Sequence, residues 1–146
     1  MTAQTPADVF EAMHELMHAY RRRMRAAVHA IQPDLTHNEV RALLFVGRHP
    51  MRTQSDLVEH SGADKAQIAR MLNMLEERGL LERVPHPQDK RSRCLALSPA
   101  GQAVCEAMRT SRRSVTQQML QGVAQEEEQQ LQALLMRLMD NLDTQE

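Results

Sequence analysis

Residues 62–101 read GADKAQIARMLNMLEERGLLERVPHPQDKRSRCLALSPAG, a short amphipathic helix running straight into an Arg-rich hairpin. Asp64 is placed to cap that helix, and Ile68, Leu72 and Leu75 recur at helical spacing as its buried face. Gly79 stands where the left-handed residue after a helix normally sits. The opposite face carries Lys65, Ala66, Gln67, Ala69, Arg70 and Asn73, small or hydrogen-bonding side chains able to reach base edges. Two short strands are expected over 81–85 and 93–97, joined by the polar, proline-containing loop 86–92. A helix followed by a basic hairpin is the order in which a winged helix-turn-helix grips duplex DNA.

Working outward, Thr53 and Asp56 form a capping pattern that opens a short helix ending at Ser61-Gly62. Thr36 and Glu39 repeat the pattern before a helix over Val40, Leu43, Leu44 and Val46, which His49-Pro50 ends. Over residues 8–31, Phe10, Met13, Met17, Tyr20, Met24, Ala27 and Ile31 recur in steps of three and four, as one long helix with a single apolar stripe. After the hairpin, Ser98 and Pro99 are a cap and first-turn proline for a fifth helix through Val104, Met108 and Val115. A sixth, roughly 125–142, carries Leu131, Leu134, Leu135, Leu138, Met139 and Leu142 on one broad face.

The fold class is therefore mainly α with a small β-wing. The expected organisation is a dimerisation helix over 1–34, a winged helix-turn-helix over 35–98 and further dimerisation helices over 99–146. The long first, fifth and sixth helices carry apolar stripes that a small winged domain cannot cover. A two-fold homodimer covers them and presents two reading helices; a monomeric helical core is the alternative.

The 146 residues, 42% of them hydrophobic, suit one modest core. The net charge of −1 conceals a segregation. Between residues 41 and 93 ten cations face seven anions, whereas the flanks hold eight cations and twelve anions. Phosphate affinity depends on local cations, so the neutral total leaves nucleic-acid binding open. No run approaches the ~20 apolar residues of a membrane span, and the amino terminus lacks a leader pattern. A cytoplasmic protein with no membrane partner is expected. Its two cysteines, Cys94 and Cys105, fit a reducing compartment and match no zinc spacing.

The chain resembles the MarR family of bacterial winged-helix regulators over nearly its whole length. The likeness rests on Leu35-Thr36, TQSDLVEHSG at 53–62, the Asp64-Lys65 helix ending in LEERGLLER at 75–83, the wing PHPQDKRSR at 85–93 and LSPAG at 97–101. It implies a homodimer on a pseudo-palindromic operator, usually a repressor, released when a small molecule or an oxidant changes the dimer geometry. Family effectors are often small aromatic acids held between the dimerisation helices and the winged domain, which makes His14, His18 and Arg21 candidate effector-binding residues. No cofactor is expected.

Roles follow residue by residue. Lys65, Gln67 and Arg70 suit the major groove, where Gln pairs with adenine and Lys or Arg with guanine, and Ala66 and Ala69 allow close approach to a thymine methyl. Gln54 and Ser55 are candidate phosphate contacts at a helix amino end. Arg91 is expected in the minor groove with Asp89 holding its guanidinium, and Lys90 and Arg93 on phosphates.

A competing motif lies at 14–18, His-Glu-Leu-Met-His, in which two histidines one turn apart can bind zinc while the glutamate activates water. The longer metalloprotease form needs Gly and His where Arg21 and Met24 stand, and Glu39 is better used in its capping box. Partly buried packing near the dimer junction is the simpler role for His14 and His18, with a metal site shared between subunits as the alternative. Cys94, beside Arg91 and Arg93, is a candidate redox thiol, although the family's peroxide sensors carry their cysteine in the first helix. A metal- or redox-responsive regulator of the same fold is thus the alternative function. Single-strand binding lacks stacking platforms, since Phe10, Tyr20 and Phe45 all lie outside the hairpin. No catalytic triad, phosphate loop or dinucleotide fingerprint is visible, so no enzyme is expected.

Overall fold

A computed structural model describes residues 6–143 of the chain. The element order is α1 (Pro6–Ile31), α2 (His37–Arg48), α3 (Gln54–Ser61), α4 (Lys65–Glu77), β1 (Leu81–Pro85), β2 (Arg93–Leu97), α5 (Pro99–Met119) and α6 (Gln125–Asp143). The chain is mainly helical with a small β-wing, as the periodicities require. It divides into two compact units, Met1–Arg112 and Arg113–Glu146.

Local chemistry sets the helix ends. Both Thr-x-x-acid boxes form reciprocally: Thr36 accepts from Glu39 N while Glu39 accepts from Thr36 N, and Thr53 and Asp56 do the same. Glu39 is buried, and its second anchor is Arg78, 3.5 Å away, which also donates to the Asp34 carbonyl. This pair ties the end of α4 to the start of α2. Gly62 closes α3 at φ 63° and Gly79 follows α4 at φ 71°, conformations that cost a side-chain-bearing residue steric strain.

The core of the first unit lies under α2, α4, the hairpin and the start of α5. Leu43, Leu72, Leu75, Leu81, Leu95 and Cys105 are essentially inaccessible. Val28 and Ile31, at the end of α1, pack onto this cluster. Of the rest of the α1 stripe, Phe10 and Met17 are exposed, at 68% and 44%, while Met13, Tyr20, Met24 and Ala27 are half-buried. In the second unit α6 buries none of its residues.

β1 and β2 pair antiparallel with Leu81 opposite Leu97 and Arg83 opposite Leu95. A further pairing was not foreseen from the sequence. Met51 adopts a left-handed φ of 66°, turning the chain so that Thr53 bridges Cys94 and the Arg52 carbonyl accepts from Leu95 N at 2.8 Å. The α2–α3 link thereby lies against β2 through one isolated bridge beside the two-stranded sheet. At its other end, Ser98 donates to the Gly79 carbonyl and accepts from Gly101 N, fixing where α5 begins.

Candidate nucleic-acid interface

α4 presents the expected two faces. Asp64 accepts from Gln67 N at 3.3 Å, Ile68, Leu72 and Leu75 are buried, and Lys65, Ala66, Gln67, Arg70 and Asn73 are exposed. Ala69 is half-buried, at the edge of the exposed face. The side chains of Lys65, Gln67 and Arg70 have no hydrogen-bond or ion-pair partner among the described residues.

At the start of α3 the capping box satisfies the Asp56 N–H and leaves those of Gln54 and Ser55 without an intrahelical acceptor. The Thr53 N–H holds the Asp56 carboxyl below the usual carboxylate range against the opposing effect of burial. The cap therefore stays ionised and intact at neutral pH.

Arg83 is the residue that sequence reasoning missed. From β1 its guanidinium spans three side chains: Nε donates to Glu76 at 3.0 Å, Nη1 to Gln54 at 3.1 Å and Nη2 to Asn73 at 3.0 Å. One fork thus fixes the amino end of α3 against the middle of α4 and the wing. It takes the amide oxygens of Gln54 and Asn73, leaving their N–H₂ groups for other acceptors. Strand alternation was the only sequence signal, since it puts Arg83 on the face away from Glu82.

The wing differs from expectation at its tip. Asp89 does not hold the Arg91 guanidinium: one carboxylate oxygen accepts from the Arg91 backbone N–H at 2.9 Å and the other from the Ser92 hydroxyl at 2.9 Å. A short acidic side chain in a tight turn meets the nearby backbone before it can reach a long side chain's end. These bonds, the backbone one first, keep its carboxyl below the usual range. His86 completes the turn, its Nδ1 accepting from Gln88 N and Asp89 N at 3.1 Å each. Lys90, Arg91 and Arg93 project exposed from this braced loop.

Other candidates are placed differently. His14, His18 and Arg21 are all exposed on α1 of the single chain, with the Phe10 ring stacked 6.4 Å from that of His14. Among the described residues no three His, Cys, Asp or Glu side chains converge as metal ligands, so the His-Glu-Leu-Met-His run gathers no third ligand from them. Cys94 is fully buried, with its thiol donating to the Met51 carbonyl at 3.2 Å. Strand alternation points Arg93 outward and Cys94 inward, so an oxidant has no access to a redox thiol there. Burial pushes the Cys105 thiol up despite nearby Arg109. Among the described residues no helix is long and apolar enough to cross a membrane.

Known proteins share this fold. The family model described as MarR family matches residues 34–92, the span from the α2 capping box to the wing tip. The transcriptional regulator HosA of Escherichia coli O157:H7 is 31% identical over 131 residues, covering 90% of this chain and 96% of the relative. Among solved structures, RV1404 from Mycobacterium tuberculosis superposes with a TM-score of 0.84 at 18% identity, covering 96% of each chain. Streptococcus pneumoniae FabT, solved in complex with DNA, gives 0.77 at 20% identity, over 95% of this chain and all of that one. The capped α4, the braced basic wing and the likeness to HosA over 90% of the chain together place the chain in the MarR family of winged helix-turn-helix transcriptional regulators.

Proposed function

We propose that the chain is a ligand-responsive transcriptional repressor that acts in the cytoplasm as a homodimer on a pseudo-palindromic duplex operator. One observation carries the DNA reading: α4 is anchored by Ile68, Leu72 and Leu75 while Lys65, Gln67 and Arg70 stand exposed and unpartnered. Unpaired donors on an anchored helix are what base edges in a major groove select. In this reading Ala66 and Ala69 allow approach, Gln54, Ser55, Lys90 and Arg93 hold phosphates, Asn73 donates through its amide, and Arg91 enters the minor groove.

The dimer is supported by the uncovered helices. Leu134, Met136, Met139 and Leu142 are 52–80% exposed on α6, and burying each such side chain is worth ~1.5–3 kcal/mol. The dimerisation elements are then 1–34 and 99–146, around a winged domain at 35–98. His14, His18 and Arg21 on α1 are the side chains offered to an effector near that junction.

Selection from a random duplex pool tests the reading. The expected result is enrichment of two inverted half-sites about one helical turn apart, from a protein that sediments as a dimer. Leu134→Glu with Leu138→Glu should give monomers that lose the paired site. Absence of any enriched sequence would overturn the proposal.

A further inference from the structure

Arg78 caps the carboxyl end of α4, and its side chain reaches two other segments. Nη1 donates to the Asp34 carbonyl at 2.9 Å, in the link between α1 and α2, and lies 3.5 Å from the Glu39 carboxylate in the first turn of α2. Glu39 is buried and also accepts from Thr36 N at 2.8 Å, so the guanidinium rests on a fixed charge. The link is tight as well: Gln32 N donates to the Val28 carbonyl and Leu35 N to that of Gln32, while Val28 and Ile31 pack on the core. One residue on, the Gly79 carbonyl accepts from the Ser98 hydroxyl at the start of α5.

The two ends of α4 are therefore held differently. Its carboxyl end is bonded, through residues 78 and 79, to the segment after α1 and to the start of α5. Its amino end bonds locally: Asp64 accepts from Gln67 N, and Gly62 and Ala63 bond back to α3. The Arg83 fork ties α4 to α3 and the wing strand, and Arg78 bonds that assembly to the α1–α2 link. Lys65, Gln67 and Arg70 stand towards the amino end, away from Arg78. The 13 residues of α4 span ~20 Å, so a tilt of ~10° about Arg78 carries the amino end by ~3.4 Å, the rise of one base pair.

We propose that Arg78 is a positioning residue: by holding α4 to the α1–α2 link it sets the separation of the two reading helices in a dimer, and so the half-site spacing that the protein selects. This rests on the proposed reading of a homodimer on paired half-sites. A neutral pair at 39 and 78 would hold the fold as well as the ion pair does, because burying charges offsets much of what their attraction gains. What the guanidinium adds is direction, since one group joins a carboxylate of α2 and a carbonyl of the link to the end of α4.

The test uses the full-length protein with Glu39→Gln/Arg78→Met. The glutamine keeps an acceptor for Thr36 N and no buried charge is left unpaired, so circular dichroism and the melting curve should stay close to wild type. Nitroxides at His29→Cys on α1 and Lys65→Cys on α4, both exposed positions, report the α1–α4 distance without DNA when the labelled chain is diluted with unlabelled protein. The native cysteines are buried and stay unlabelled. One narrow distance distribution is expected on the wild-type background and a broader one in the double variant. Competition binding then compares inverted half-sites at the selected spacing with spacings one base pair shorter and longer, a change that turns a half-site by ~35°. Wild type should discriminate by about tenfold and the double variant by about twofold or less, at an unchanged salt slope. Arg78→Lys keeps a charge for Glu39 and should restore part of the discrimination. Unchanged distances overturn the inference, as does a uniform loss of affinity at every spacing, which marks a purely structural role. A lower salt slope also overturns it, because Arg78 would then grip a phosphate. If the distances broaden but wild type selects no paired site, the dimeric-operator reading falls and Arg78 stands as the residue that fixes α4 on α1.

Discussion

Arg83 Nη2 lies 3.0 Å from Asn73 Oδ1, so a wing-strand residue decides how an α4 amide faces outward. With that oxygen already accepting, Asn73 has its N–H₂ group free to donate, and in the proposed DNA-binding reading it is less suited to the two-way amide contact that an unengaged Asn makes with adenine. Gln54 is constrained in the same way through Nη1. In the proposed DNA-binding reading Arg83 is a positioning residue that acts through these two side chains.

Arg83→Gln should therefore relax preference at the base that faces Asn73, by ~1–3 kcal/mol of discrimination. The salt slope of binding should stay at the wild-type value, because no phosphate contact is removed. Arg83→Lys should rescue only in part, since an ammonium cannot span Glu76, Gln54 and Asn73 as a planar fork does. Competition binding with single-base operator variants at several salt concentrations separates these outcomes. A slope lower by one unit in Arg83→Gln would show that the residue grips a phosphate itself.

Lys90 and Gln67 should behave oppositely. Lys90 is exposed on the wing, so Lys90→Ala is expected to weaken binding to all duplexes alike and reduce the salt slope by about one unit. Gln67 is exposed on α4, and Gln67→Ala should keep the slope and lose ~1–3 kcal/mol of preference at one base position. Titrations on operator and scrambled duplex read both effects.

What the sequence made legible was local. Capping boxes at Thr36 and Thr53, the cap at Asp64 and the glycines after α3 and α4 act over three or four residues, and the strand ends came from one turn's chemistry. What stayed hidden depended on distant partners. The Arg83 fork joins positions 10 and 29 residues apart, and the Cys94–Met51 contact spans 43. Charge neighbours along the chain suggested an electropositive thiol at Cys94, whereas strand alternation and the Arg52–Leu95 bond put that thiol inside. At Asp89 the error was one of reach, with backbone preferred to guanidinium.

Gly101 is a packing requirement. A Cβ built there would stand 2.0 Å from the Leu80 carbonyl oxygen, a rigid backbone atom at the entry to β1. Gly101→Ala must push α5 away from the hairpin and disturb the Ser98 bonds to Gly79 and Gly101. The expected cost is ~1–3 kcal/mol, read as a lower urea midpoint with the slope unchanged. Wild-type stability in Gly101→Ala would mean that the α5–β1 approach is looser than described.

Protonation of Asp89 in the wing and of Asp56 in the α3 cap should matter only at low pH. Hydrogen bonds depress the carboxyls of Asp89, chiefly from Arg91 N, and of Asp56, chiefly from Thr53 N. A depressed folded value means that their stabilisation is fully present above the ordinary Asp range and is lost as pH falls through the lower folded value. Between about pH 5 and 8 these two groups should leave wing order unchanged. Amide chemical shifts of Arg91 and Ser92 followed through an acid titration check this. Asp89→Ala should reproduce the loosened wing at neutral pH and weaken duplex binding.

Thiol chemistry provides the sharpest contrast with a redox-switch reading. Cys94 and Cys105 are both buried, Cys94 is hydrogen-bonded to the Met51 carbonyl, and burial keeps the Cys105 thiol protonated beyond the usual range. Nucleophilic attack on a disulfide reagent needs an accessible thiolate, so the native protein should react only as fast as it opens. In urea both cysteines should titrate at once. Peroxide treatment of the native protein should leave duplex affinity unchanged, and Cys94→Ser should bind DNA with the wild-type salt slope. Fast modification of one thiol in the folded protein, accompanied by release of duplex, would require the β2 edge to open readily and would restore Cys94 as a sensor.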